Sequence, residues 1–491
     1  MPMDALTQRQ RSFFREVARA AFANPFSTER AEVDDVIARE SRRALHEAKR
    51  VERMMNAVAG EVEELERSGL ADVRKHSGES RSFMRTALLF DVFHRHIDAI
   101  DRHIEEQLRA GDEPAPALFA TAIQNDLLRR GFSSEASLHF LAIFFQLRRA
   151  FYFIARGLLG ESASMRRFRE RLWQNIFTRD VQLYDEYLSD RMEDFSTLLL
   201  GETGTGKGAA AAAIGRSGFI PFNPRSGCFK ESFTRAFVSL NLSQFPETLI
   251  ESELFGHRKG AFTGAMDNYQ GIFARCSPHG AIFLDEIGDV TVPIQIKLLH
   301  VLQERRFTPV GSHEPQRFSG RVIAATNRPL DTLRAEGKFR DDFYYRLCSD
   351  VIEVPPLRQR IQESPTELQQ LLREIVVRIT GDDAEHIAKD IAARLKKSPG
   401  RNHAWPGNVR ELEQATRQIL LTGVYSPTRA TAQILKNGDI LAAWRAGTLT
   451  AAELVAAYCT DLYQQFRTYE EVARRTKLDG RTVKKYLTKG S

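Results

Sequence analysis

The stretch Leu198-Leu199-Leu200-Gly201-Glu202-Thr203-Gly204-Thr205-Gly206-Lys207 decides the fold of this chain of 491 residues. Three consecutive leucines make a strand that needs cover on both faces, as in a parallel sheet. The strand delivers the chain into a loop with glycines at 201, 204 and 206, whose backbone N–H groups can approach phosphate oxygens closely. Lys207 follows the last glycine and supplies a mobile cation for terminal phosphates. An alanine-rich segment, 209–213, continues as a helix whose positive end points at the same place. A glycine-rich turn alone is weak evidence; framed by a strand and a lysine, it predicts a nucleotide-binding α/β domain. One position departs. Gly208 stands where a P-loop carries Ser or Thr for magnesium, and it offers no side-chain ligand.

Further segments fit the same site. Gly280-Ala281-Ile282-Phe283-Leu284-Asp285-Glu286 sets two carboxylates at the end of another buried strand. Asp285 suits magnesium, directly or through water, and Glu286 suits the polarising of an attacking water. Adjacent residues on a strand point to opposite sides, so both roles require the strand to end at Asp285. Ala324-Ala325-Thr326-Asn327 closes a third apolar strand. Phe339-Arg340-Asp341-Asp342-Phe343-Tyr344-Tyr345-Arg346-Leu347 carries two arginines, which a plain helix surface would pair with Asp341 and Asp342. Glu251-Ser252-Glu253-Leu254-Phe255-Gly256-His257-Arg258-Lys259 leads into Gly260-Ala261-Phe262-Thr263-Gly264-Ala265. Its two glycines permit hinge conformations, and Phe262 and Thr263 would form an apolar, hydrogen-bonding tip. The competing reading is a Phe folded back into a core.

In this order the motifs resemble the AAA+ activators of sigma-54 RNA polymerase (bacterial enhancer-binding proteins), over about two-thirds of the chain. The resemblance implies that Gly201, Glu202, Thr203, Gly204, Thr205, Gly206, Lys207 and Gly208 bind ATP and Mg2+, with Asp285 as metal residue. It implies that Arg410 contributes from Trp405-Pro406-Gly407-Asn408-Val409-Arg410-Glu411-Leu412, a turn and helix start in a small helical lid. Asp285, Glu286 and Asn327 become catalytic, Asn327 as the sensor near the γ-phosphate. Arg340 and Arg346 become trans-acting fingers, which imply a ring, by analogy a hexamer. Asn241 couples Glu286 to the loop 260–265, whose tip touches the sigma factor. Gly160-Glu161-Ser162-Ala163-Ser164-Met165 is similar to the lead-in segment that helps to frame adenine. The family commonly has Glu where this chain has Gly208, so magnesium would rely on phosphates, waters and Asp285, which puts fast hydrolysis in doubt. The segment 219–237 is longer than the usual connection and predicts a surface loop around Pro221, Pro224 and Gly227.

Hydrophobic residues make up 42% and charged residues 27%, values that argue against global disorder and leave room for about three domains. The net charge of +6 fits either surplus surface arginine or contact with nucleic acid. Four separated cysteines without a CxxC pair argue against structural zinc or disulfides and fit a reducing, cytoplasmic setting. The N-terminus is polar from Gln8 onward, with no signal-peptide core. The apolar stretch 138–159 is interrupted by Arg148, Arg149 and Arg156, so it predicts a core helix and no membrane span.

Residues 1–158 predict an all-α regulatory region, without the alternating strands and acidic pocket of receiver domains. Ala44, Ala48, Val51, Met55, Val58, Val62 and Leu65 form a heptad seam, either a packed amphipathic helix or a dimerising coiled coil. Leu89, Phe93, Ile97, Ile100, Ile104 and Leu108 form a second stripe. On that helix His96 and His103 share a face, as a metal or pH sensor or as part of a solvated surface. Residues 159–425 form the AAA+ domain with a lid at about 357–425. Residues 445–491 predict a basic helix-turn-helix resembling Fis-like domains, with Arg474, Arg475, Arg481, Thr482, Lys484 and Lys485 toward double-stranded DNA. Leu454, Tyr458, Leu462 and Phe466 on the preceding helix could pair two subunits.

The expected function is a DNA-bound regulator that uses ATP to remodel sigma-54 RNA polymerase holoenzyme. A nucleotide-gated switch with weak turnover and a remodeller of another protein are the alternatives.

Overall fold

The computed structural model describes residues 6–38, 47–381, 384–400, 403–425 and 450–489. It divides into two compact units, one of Met1–Lys389 with Ala404–Gln414 and the other of Asp390–His403 with Ala415–Ser491. In the first unit the N-terminal region is helical: α1 (Gln8–Phe22), α2 (Thr28–Ile37), α3 (Glu47–Arg67), α4 (Gly78–Arg95), α5 (Ile97–Ala110), α6 (Ala120–Arg129) and α7 (Ser134–Gly157). Side-chain caps start several of them: Thr7 and Gln10 close a capping box on α1, Ser27 caps α2 and Ser133 caps α7. The seam on α3 packs within this region against α2 and α4, with Val58, Val62 and Leu65 buried and Val51 and Met55 partly so; Met54, outside the seam, is buried as well. It is the packed-helix alternative that the fold adopts; Ala44 lies outside the described residues. By length and composition α7 could cross a membrane, yet it is the core helix here, with Phe140, Leu141, Phe144 and Phe145 buried.

The second stripe is not one helix, because the chain breaks at His96 between α4 and α5. His96 turns to Asp126, with Nε2 2.9 Å from Oδ2. His103 is buried among Phe119, Phe145 and Phe229, and burial pushes its pKa down to about 4. His94 is pushed down to about 3 by burial. The shared, solvated face expected for His96 and His103 is therefore absent, and no cluster of three metal-ligating side chains occurs among the described residues.

The rest of this unit contains a five-stranded parallel sheet in the order β4-β5-β8-β1-β9. Its strands are β1 (Thr197–Leu200), β4 (Phe237–Asn241), β5 (Ala281–Asp285), β8 (Arg321–Thr326) and β9 (Asp350–Glu353). Two short hairpins, β2 (Phe222–Asn223) with β3 (Cys228–Phe229) and β6 (Arg306–Phe307) with β7 (Gln316–Arg317), lie outside it. Helix α8 (Ala163–Phe177) leads into the sheet, and α9 (Lys207–Gly215) follows β1. Strand register aligns Asn241 with Asp285, Asp285 with Ala325, and Leu200 with Thr326. The carboxyl ends of four strands thus meet in one crevice, the usual ligand position of open α/β sheets.

The segment 219–237 has the expected surface loop at its tip, where Pro224, Arg225 and Ser226 are exposed, but its flanks are packed inward. Its hairpin inserts Phe222, Phe229 and Phe233 into the N-terminal core, with Phe229 stacked on Phe145 at 4.0 Å. Ala117 N donates to Gly227 O at 2.9 Å, and Ser232 Oγ donates to Gly111 O at 2.7 Å. Beside it, the wholly buried Arg149 of α7 donates to the carbonyls of Arg216 at 2.8 Å and Gly218 at 2.7 Å, just past the end of α9. Gln146 adds a 2.9 Å bond to Ser217 O.

A second lock joins the lead-in segment to the following helices. Glu367, with no exposed surface, accepts from Glu161 N at 2.8 Å, Ser162 N at 3.1 Å and Arg360 Nε at 2.7 Å. Gly160 sits at φ +119°, where a Cβ would collide with that carboxylate.

Phe229→Ala should cost about 3–5 kcal/mol, as for a buried phenyl ring, read as a lower unfolding midpoint of the full chain. Arg225→Ala, at the exposed hairpin tip, should leave the midpoint unchanged.

Candidate functional site

The phosphate loop is built by glycine conformation. Gly204 and Gly206 have φ of +78° and +106°, and α9 begins immediately after the second. Lys207 is buried and donates from Nζ to Gly201 O at 2.8 Å and Glu202 O at 3.2 Å. Burial lowers its pKa, opposed by the charges of Glu286 and Asp285. Thr205 Oγ1 donates to Glu202 O at 2.8 Å and closes the loop. Gly208 is exposed on α9, and a Cβ placed there would meet nothing within 4 Å.

β5 ends at Asp285, and Glu286 follows at φ +57° in the left-handed region. That single non-extended residue turns two adjacent carboxylates toward one crevice, which a continuing strand would not do. Burial raises both pKa values, and the Lys207 ammonium holds them down. Asn327 bridges the crevice: its N lies 3.4 Å from Glu286 Oε2, and its Nδ2 donates to Thr203 Oγ1 at 2.8 Å. Lys207, Asp285, Glu286, Asn327 and the loop are therefore one constellation. Asn241 sits beside Asp285 in the sheet, but its Oδ1 accepts from Ser243 N at 3.0 Å and Ser243 Oγ at 2.8 Å.

Residues 407–410 cover the loop from the other side. Asn408, at φ +52°, donates to Glu202 Oε2 at 3.1 Å and Thr203 O at 3.0 Å, and accepts from Leu357 N at 2.8 Å. Val409 N donates to Gly204 O at 3.0 Å. Any side chain at Gly204 would collide with the Gly407 carbonyl, so this glycine is required by close approach as well as by φ. Arg410 packs its Cβ against that position, and its charge favours ionised Asp285. Glu202 is held by Arg358 through bonds of 2.6 and 2.7 Å. Sequence reasoning missed Arg358 and the role of Asn408, although Asn408 stood in the quoted Gly-Asn turn.

The two finger candidates are not at this crevice. Arg340 forms a surface ion pair with Asp342 at 2.6 Å, the internal pairing weighed from sequence, and Arg334 takes Asp341 at 2.7 Å. Arg346 donates to Leu302 O at 3.0 and 2.7 Å.

The hexapeptide is a pinned base with an open tip. Gly260 and Gly264 have φ of +80° and +100°, and Gly260 N donates to Ala265 O at 2.9 Å. Below it, His257 N and Tyr269 O pair at 3.0 Å, and Arg258 N donates to Val310 O at 2.9 Å. Phe262 leans on the His257 ring, centroids 4.9 Å apart, yet keeps 39% of its surface exposed. Ala261 packs against Gly311, Ala265 is buried and Thr263 is exposed. Met266, one residue beyond the motif, is 76% exposed and was missed from sequence.

In the second unit, Ala451–Phe466, Tyr469–Thr476 and Gly480–Lys489 form three helices around Cys459, Leu462, Val472 and Val483. The turn is made by Lys477 at φ +56°, and Gly480 already belongs to the last helix. Thr482 is committed to that helix start, its Oγ1 donating to Asp479 Oδ2 at 2.6 Å. Arg474 and Arg475 share Glu471, and Arg475 also covers the Phe466 ring at 3.9 Å. Arg481, Lys484 and Lys485 are on the last helix, and all three are exposed. Leu462 and Phe466 pack within this bundle, whereas Leu454 and Tyr458 are exposed.

Residues 178–353 match the family described as Sigma-54 interaction domain. A Nif-specific regulatory protein of Azotobacter vinelandii is 46% identical over 218 residues, 44% of this chain and 38% of that protein. The DNA-binding transcriptional regulator NtrC of Escherichia coli (strain K12) is 40% identical over 224 residues, 46% of this chain and 44% of that protein. A crystal structure of NtrX from Brucella abortus matches at 22% identity and a TM-score of 0.41, over 76% of this chain and 80% of that one. The chain thus spans less than half the length of these two curated relatives. The likeness to the Sigma-54 interaction domain lies in residues 178–353, the segment that carries the phosphate loop, Asp285, Glu286, Asn327 and the hexapeptide.

Proposed function

We propose that this chain is an ATP-driven transcriptional regulator that opens promoter complexes of sigma-54 RNA polymerase. One observation carries the reading: Lys207, Asp285, Glu286 and Asn327 gather at a glycine loop in the same motor that projects an open, glycine-hinged hexapeptide. Lys207 neutralises the terminal phosphates and Glu286 takes the proton of the attacking water, its raised pKa bringing it nearer the working pH. Asn327, bonded to both the loop and the Glu286 side, registers whether the terminal phosphate is present.

A divalent cation on the phosphates would neutralise developing charge. Asp285 is the side chain set to hold it, and Gly208 contributes none. Arg340 exchanges Asp342 for a phosphate of the neighbouring subunit in a ring, and Arg346 lies on the same helix, Asp341–Leu347. Asn241, next to Asp285 and at the head of the segment leading to the hexapeptide, relays the nucleotide state to the tip. Phe262, Thr263 and Met266 meet the sigma factor. Arg474, Arg475, Arg481, Lys484 and Lys485 meet DNA phosphates and bases in the cytoplasm; Thr482 shapes their helix.

The full chain should form open complexes with sigma-54 holoenzyme only when ATP is present, and Lys207→Ala should abolish this. Thr263→Ala should keep ATP turnover and lose opening; turnover without opening by the unaltered chain would instead indicate another remodelling target. Gly208→Thr, which the open space around Gly208 admits, should raise turnover several-fold, and unchanged turnover would show that the missing ligand is immaterial. Affinity for DNA should fall with salt at a log–log slope of about −4, which Arg481→Ala reduces by about 1. Binding that ignores salt would exclude phosphate contact.

A further inference from the structure

A cavity of about 650 Å³ lies away from the nucleotide site, between the N-terminal helices and α8. One wall is a face of α7, where Phe140, Ile143, Phe144, Leu147 and Phe151 recur at helical spacing. Contacts across it give its length an order. The Arg85 guanidinium lies 5.2 Å over the Phe140 ring, and Phe93 meets Phe144 at 5.5 Å. Phe26 then stacks on Phe151 at 5.4 Å and meets Trp173 edge-on at 6.2 Å. From Phe140 to Phe151 a helix rises about 16 Å. The cavity is a long, aromatic-walled slot.

Its charges are unevenly matched. Arg30 is paired with Asp34 at 2.7 Å, Arg50 with Asp35 at 2.9 Å and Arg148 with Asp101 at 2.6 Å. Among the lining acids, Asp185 takes His139 at 2.6 Å, and Glu170 sits beside Arg166 and Arg167. At the Phe140 end Arg85, an exposed residue, has no carboxylate acceptor among the described residues, and its guanidinium contacts the Phe140 ring; at the other end Arg166 and Arg167 stand beside Glu170, and Arg169 donates to the carbonyls of Leu158 and Gly160. Ser82 and Thr86, on either side of it along α4, line the same end of the slot. A guanidinium flanked by two hydroxyls recognises a carboxylate, and the aromatic length beyond it recognises an apolar body.

We propose that this slot binds an amphipathic carboxylate, an acyl or aryl-alkyl chain whose head rests on Arg85, Ser82 and Thr86 and whose tail lies along α7 toward Trp173. The opposite face of α7 carries Gln146 and Arg149, which hold the chain just after the phosphate-loop helix. An occupant therefore braces a helix that joins the N-terminal region to the nucleotide loop.

Isothermal titration of the full chain with decanoate and with decan-1-ol tests this without reference to ATP turnover. Decanoate should bind once per chain and about tenfold or more tighter than decanol, the margin of one charge-assisted bond. Arg85→Ala should remove that margin and leave decanol binding unchanged, while Leu147→Trp, which fills the slot, should remove both. Equal affinity for the two probes, no decanoate binding, or full decanoate affinity in Arg85→Ala would overturn the proposal.

Discussion

The position of the phosphate loop depends on a buried guanidinium. Arg149 reaches out of α7 and donates to two carbonyls just past the end of α9, while lying 4.4 Å over the Phe145 ring and 5.6 Å over Phe233. Removing a charge from water is costly, and burial pulls the normally very high pKa of this group down to about 9. The bonds repay much of that cost because the carboxyl end of a helix concentrates unpaired carbonyls and partial negative charge. The other end of α9 is the phosphate loop. A clamp on one terminus of a nine-residue helix fixes the axial position of the other terminus.

The crevice itself is defined mainly by backbone. Glycine conformations at 204 and 206, the left-handed turn at Glu286 and the end of β5 bring Lys207 and the acids together. Side chains then hold that backbone. Glu202, inside the loop, is occupied by Arg358 and Asn408 and acts as a strut. Asn327 is bonded to the loop on one side and lies against Glu286 on the other, so movement of either is felt by both.

The parallel sheet and the nucleotide crevice were legible because their signals are local: a leucine run, spaced glycines, a lysine, and acids at a strand end. The helical N-terminal region was legible as helix but not as packing. A four-three seam on α3 has the same pattern whether a neighbour or a second copy covers it. His103 looked solvated because its sequence neighbours are charged; its spatial neighbours Phe119, Phe145 and Phe229 come from three other segments. Polar punctuation around Pro221, Pro224 and Gly227 marked a turn correctly, while the phenylalanines flanking it decided where the hairpin goes. Arg358 was invisible because nothing in its local sequence records a partner 156 residues away.

The docked hairpin bears on how such a protein can be inherited and rearranged. Regulatory regions are often pictured as exchangeable heads on a common engine. Here residues that follow β1 supply part of the N-terminal interior: Phe222, Phe229 and Phe233 lie between β1 and β4 in sequence and in the N-terminal core by packing. A fragment beginning at residue 159 would carry three uncovered phenyl rings and the cut end of an aromatic stack, a surface suited to aggregation. Exchanging residues 1–158 alone would leave those rings uncovered, so the helical region and the hairpin are one packing unit although α8, β1, the phosphate loop and α9 lie between them in sequence.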